Sequence, residues 1–128
     1  MNKLLIAIFM LITFCGCETT HTSMKLIVNN SSHTFQIDYN NFWAKDSILT
    51  FSPGELKYLT NATKLGNHPK ELPYPPCSMQ PNDTLLVLTN NFTFIGDFTD
   101  EYRWNESISG KRATVHQCTF TITDGDFQ

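Results

Sequence analysis

The spacing of apolar side chains changes character several times along the chain, and each change marks an element. Leu4 to Phe14 is apolar throughout except for Thr13. From Cys17 to Ser23 the chain is polar and without period, which predicts a tether. Leu26-Ile27-Val28 is a short apolar run closed by the turn cluster Asn29-Asn30-Ser31-Ser32. His33 to Tyr39 then alternates, with Phe35, Ile37 and Tyr39 on one face and Thr34, Gln36 and Asp38 on the other, the period of a strand with one wet side. These two strands are expected to form a hairpin. Ser47 to Phe51 is the next strand and ends at Ser52-Pro53-Gly54-Glu55, where Pro fixes φ and Gly supplies a positive φ. Leu56 to Leu59 is expected to pair after it.

The second half begins with an interruption. Asn61 to Asp83 holds five of the six prolines, which cannot donate to a sheet ladder, so a long surface loop is expected there. Thr84 to Thr89 is apolar on both faces and predicts the most central strand. Phe92, Phe94 and Phe98 alternate with polar neighbours, with a bulge expected at Gly96. Tyr102 to Ile108 is ambiguous, Ser109-Gly110-Lys111 is a turn, and Ala113 to Thr123 is the longest strand, with Cys118, Phe120 and Ile122 facing one way. Phe35, Ile37, Leu85, Val87, Phe94, Cys118, Phe120 and Ile122 are the predicted core, with Thr34, Gln36, Thr119 and Thr121 wetter. Seven or eight short strands, no internal repeat and no amphipathic helix predict an all-β fold, an antiparallel β-sandwich of immunoglobulin-like size.

The opening apolar run is shorter than the roughly 20 residues a spanning helix needs. With Lys3 before it and small residues after it, it has the pattern of a secretory signal. Its end, Phe14-Cys15-Gly16-Cys17, resembles the bacterial lipobox, departing from the commonest pattern at Phe14 and Cys15 and matching it at Gly16-Cys17. The resemblance implies a signal peptide over 1–16, lipid attachment at Cys17, a tether over 17–23 and one domain over 24–128. An ordinary secretory signal and an uncleaved anchor helix are the alternatives. Glu18 stands where an Asp often signals inner-membrane retention, and no acidic export run follows Cys17. The expected address is therefore the bacterial envelope, an outer-membrane lipoprotein facing the periplasm, with the cell surface as the alternative.

The Asn-Asn-Ser-Ser-His start, the strand into Pro-Gly-Glu, Asp83-Thr84-Leu85, and the ending Thr119-Phe120-Thr121-Ile122-Thr123 together resemble small uncharacterised lipoproteins of Bacteroidetes. In those proteins an aromatic/Thr strand is often followed by Glu-Glu-Asp-Tyr, where this chain has Asp124-Gly125-Asp126-Phe127. The likeness spans roughly residues 24–127 and carries no activity with it.

Charge and cysteine content narrow the chemistry. The net charge is −3, one unit more negative once Lys3 leaves, and no basic run tracks phosphates, which argues against nucleic acid as a partner. With Cys15 in the signal and Cys17 on lipid, Cys77 and Cys118 remain, an even pair that predicts a disulfide in an exported protein. The alternative is a buried Cys118 and a free Cys77. His116, two positions from Cys118, is the one base placed to serve a catalytic cysteine. His21, His33, His68 and His116 have no zinc spacing, and no metal or other cofactor is expected. Asp97, Asp100 and Glu101 form a small acidic cluster without the spacing of a calcium loop, and Asp124-Gly125-Asp126 is expected to be a tail. Gly-x-Ser-x-Gly and phosphate-loop motifs are absent, so an enzyme is the minority expectation.

Trp43, Tyr74 and Trp104 lie in or beside predicted loops and are the candidate ligand-binding residues, able to stack on a glycan or meet a peptide. Their competing role is to cap the ends of the sandwich. Six Asn-x-Ser/Thr sequons (Asn29, Asn30, Asn61, Asn82, Asn91, Asn105) keep a eukaryotic or viral secreted protein as a minor alternative. The expected function is that of a lipid-anchored envelope protein of binding or structural type, its partners being the membrane and an envelope protein or glycan. The alternatives are a carbohydrate- or peptide-binding lipoprotein and a small secreted enzyme.

Overall fold

The computed structural model describes residues 19–40, 47–65, 74–80 and 84–128. In chain order the strands are β1 (Thr20–Asn29), β2 (Phe35–Asn40), β3 (Ser47–Phe51), β4 (Leu56–Leu65), β5 (Thr84–Leu88), β6 (Trp104–Ser109) and β7 (Ala113–Ile122). They form two sheets, one ordered β4-β1-β7-β6 and the other β3-β2-β5. All pairings are antiparallel except β1 with β7, which run parallel. The chain is an all-β sandwich.

Alternation in the sequence becomes the core. From His116 to Ile122 every second residue of β7 is buried, while the residues between them are half-buried or exposed. Ile27, Phe120 and Ile122 from the larger sheet meet Phe35, Ile37, Tyr39 and Phe51 from the smaller one. Rings fill much of the space, with Phe35 stacked on Phe51 at 5.3 Å and Phe98 tilted on Phe120 at 4.7 Å. Leu85, Val87 and Phe94, expected inside, sit at the margin and are partly buried. Thr34, Gln36 and Thr121 are exposed and Thr119 is intermediate.

Several expectations of organisation change. β1 and β2 do not form a hairpin, because they belong to different sheets. The Asn29–His33 segment is a crossover held by the fully buried Asn29, whose amide donates to the carbonyls of His33 and Phe51 while its oxygen accepts from Ser31. The polar stretch Thr20–Ser23, read as tether, belongs to β1 and pairs on both sides. Its threonines suit a strand but lie outside the apolar core, so no alternation marks them. β4 likewise runs on to Leu65, into the predicted proline loop.

β5 is an edge strand of the described sheet rather than the most central strand. Its second apolar face is not covered by a further described layer, since Leu86 remains 57% and Leu88 38% exposed. Residues 92–99 do not form a strand. A single bridge links Phe94 to Phe127. Gly96 is where the chain passes close to the Phe94 ring, and a Cβ there would lie 2.4 Å from Phe94 Cζ. The expected tail is instead an ordered 3-10 turn, Asp124–Asp126, in which buried Asp126 accepts from Arg103 at 2.8 Å and from the Thr123 N–H. Phe127 is buried and packs on Phe35.

Candidate functional site

The core face of the larger sheet changes character along its length. From Ile27 and Phe120 toward the start of β1 and β7, where the two strands pair Lys25 with Cys118 and Ser23 with His116, the residues turn polar, with Ser23 and Lys25 on β1, His116 on β7 and Glu106 on β6. The segment Tyr74–Gln80 packs over them.

Several interactions hold that segment, among them the Met79 N–H, which donates to the Phe98 carbonyl at 2.9 Å. Cys77 and Cys118 are joined in a disulfide, with Cα atoms 5.3 Å apart. Glu101 accepts the N–H groups of Cys77 and Ser78, at 2.9 and 2.7 Å. Lys25 Nζ donates to the Ser78 carbonyl at 2.9 Å. The Ser78 side chain, then the two N–H groups and the Lys25 charge, hold the Glu101 carboxyl below its ordinary range against a desolvation cost.

His116 lies beneath. It is 1% exposed, and Tyr74 stacks on its ring at 4.5 Å and 20°. Its Nε2 is 2.7 Å from Glu106 Oε1 and 3.7 Å from Cys118 Sγ, and its Nδ1 is 3.5 Å from Ser23 Oγ. An ionised carboxylate only accepts, so Nε2 carries the proton and donates to Glu106. Cys77, His116 and Cys118 offer three ligand-type atoms within 4.8 Å of one another. Chain spacing gives no sign of that grouping, because Cys77 comes from a loop and the other two from one face of β7.

The predicted site residues have separate fates. Cys77 and Cys118 are bonded as expected. Tyr74 is half-buried, and one face of its ring is taken by His116. Trp104 is not a free ligand-binding face. It is 6% exposed, packs edge-on against Phe120 at 5.2 Å, and donates its indole N–H to the Phe98 carbonyl at 2.9 Å. A satisfied N–H and a buried ring suit the capping role. Cys17 and Trp43 lie outside the described residues. Tyr102, beside Trp104, has its ring in water at 99% exposure.

The acidic cluster disperses into backbone contacts. Asp97 accepts from Thr99, Asp100 caps the Tyr102 N–H, and Glu101 holds the cysteine segment. Sequence reading missed Glu106 and Ser23. The signal for Glu106 was the turn at Ser109-Gly110-Lys111, since folding Ala113–Ile122 back over it sets Glu106 opposite Cys118 and Ile108 opposite His116.

No protein-family model, curated protein or solved structure matches the chain.

Proposed function

We propose that this protein is a lipid-anchored β-sandwich of the bacterial cell envelope, attached through Cys17 and acting by binding or structure rather than by catalysis. The observation that carries the reading is the buried Cys77–Cys118 disulfide. Such bonds persist in exported proteins and are rare where thiols are kept reduced, and here the bond follows a leader-like start ending in Gly16-Cys17. Two or more acyl chains on Cys17 suffice for stable anchoring, where one chain is marginal. Among the described residues no helix is long and apolar enough to cross a membrane.

Replacing Cys17 with Ala tests the anchor. The variant is expected to lose acyl labelling and to leave the membrane fraction. Unchanged labelling and fractionation would overturn the reading. A second reading, recognition of a glycan or peptide through loop aromatics, now rests on the exposed ring of Tyr102 rather than on Trp104. Tyr102→Ala is expected to abolish retention on the responsive ligand of a glycan or peptide array while leaving stability unchanged. Retention equal to that of the parent would remove this reading.

A further inference from the structure

We propose that Cys77, Cys118 and His116, with Glu106 as fourth ligand, form a zinc site that exists only while the disulfide is open. The same two sulfurs then have two exclusive states, a disulfide that closes the Tyr74–Gln80 segment and a metal-thiolate centre that closes it in another way.

Geometry supports the site. Zinc takes four ligands in a tetrahedron, with bonds of about 2.0–2.3 Å, so neighbouring ligand atoms stand about 3.3–3.8 Å apart. His116 Nε2 and Cys118 Sγ are already 3.7 Å apart. Glu106 Oε1, at 2.7 Å from Nε2, is outside the Cys77–His116–Cys118 group and joins it by moving out from that nitrogen toward the sulfurs. The Glu106 side chain is 52% exposed, which gives it room to move and gives an ion a way in. The two sulfurs must also separate, which is what opening the bond permits. Cys77 lies on a loop segment, so that separation does not require a shift in β7. Two thiolates, an imidazole and a carboxylate are a donor set suited to a borderline-soft divalent ion.

The surroundings of His116 fit the same role. A ligating imidazole needs a partner for its other nitrogen to fix the ring and its tautomer. Ser23 Oγ stands 3.5 Å from Nδ1 and accepts from it when the proton leaves Nε2. Tyr74 covers one face of the ring and keeps it in place.

The chemistry balances with a thiol reductant. A dithiol gives two electrons and two protons to the disulfide, yielding two cysteine thiols and an oxidised dithiol. Zinc then displaces the two thiol protons, while the imidazole proton passes from Nε2 to Nδ1. Reoxidation by a disulfide reverses this. Two electrons pass from the thiolates to the oxidant, the oxidant's thiolates take up two protons, and Zn²⁺ is released.

The test uses the whole chain in detergent with Cys15→Ser and Cys17→Ser, so that Cys77 and Cys118 are its only cysteines and the outcome does not depend on lipidation. The protein is reduced with a water-soluble phosphine, freed of it without oxygen, and titrated with Co²⁺ and then Zn²⁺. The reduced chain is expected to show thiolate-to-cobalt charge transfer and tetrahedral d–d bands that saturate at one ion per chain and are lost on adding zinc. The oxidised chain is expected to show neither. His116→Ala should weaken binding by more than the roughly 10–100-fold typical of losing an outer partner, and Ser23→Ala by about tenfold. If reduction unfolds the chain, one equivalent of zinc should restore its sheet circular dichroism. The proposal is overturned by a reduced chain without the cobalt bands, by equal binding to the oxidised chain, by His116→Ala with parental affinity, or by a reduced, unfolded chain that zinc does not refold.

Discussion

Phe120 is fully buried, with Phe98 and Trp104 against it and the Arg103 guanidinium 4.9 Å from its ring centre. Truncating it to Ala removes those contacts and leaves a cavity, which costs about 3–5 kcal/mol. Urea unfolding with the disulfide intact should show that loss. Glu101 makes a prediction about pH. Its carboxyl is held below the ordinary value in the folded chain, so its contribution is full above the unfolded value of about 4.3 and is lost as pH falls through the lower folded value. Stability measured from pH 6 downward should therefore fall in acid, and Glu101→Gln should show a shallower slope together with lower stability at neutral pH. An unchanged slope would show that Glu101 does not hold the Cys77–Ser78 backbone in solution. At this scale the sequence was informative about position and less so about duty. Phe35, Ile37, Phe120 and Ile122 announced their burial by alternation. Glu101, Asp97 and Asp100 did not announce that they bind backbone N–H groups, because such contacts depend on where a distant segment lands.

Turns and pairings differ in how much of them is local. Gly54 and Gly110 both have positive φ, at 81° and 90°, and both were marked by their neighbours as turns. They are not equally replaceable. A Cβ at Gly54 meets nothing within 4 Å, so Gly54→Ala costs only the left-handed backbone, about 1–2 kcal/mol. A Cβ at Gly110 would lie 1.8 Å from the Ala113 carbonyl oxygen, so Gly110→Ala should cost clearly more and disturb the β6–β7 hairpin. Thermal or urea midpoints of the two variants give the order directly. Which strands pair was not legible in the same way. β5 reads as central because both its faces are apolar, yet pairing is set by the whole sheet, and Leu86 and Leu88 end outside. The parallel pairing of β1 with β7 joins strands from opposite ends of the domain, and no local pattern encodes it.

For the molecule as a whole, the disulfide joins the loop segment to the last strand across a sequence separation of 41. Closing that loop contributes about 3–4 kcal/mol in the chain-entropy account. The double change Cys77→Ser and Cys118→Ser should lower unfolding free energy by that order, and equal stability would assign the bond no structural role. The pair was legible by counting cysteines, and the all-β sandwich by the rhythm of short strands and turns. The His116 environment was not, because it gathers side chains of β1, β6, β7 and a loop that lie far apart in the chain. The reading of this protein as an exported, lipid-anchored domain is tested most directly by the intact mass of the chain extracted from the envelope of a bacterial host. The expected mass is that of residues 17–128 carrying acylated Cys17 and lacking two hydrogens for the Cys77–Cys118 bond. A chain that keeps residues 1–16, or one cut elsewhere without acyl groups, would contradict it.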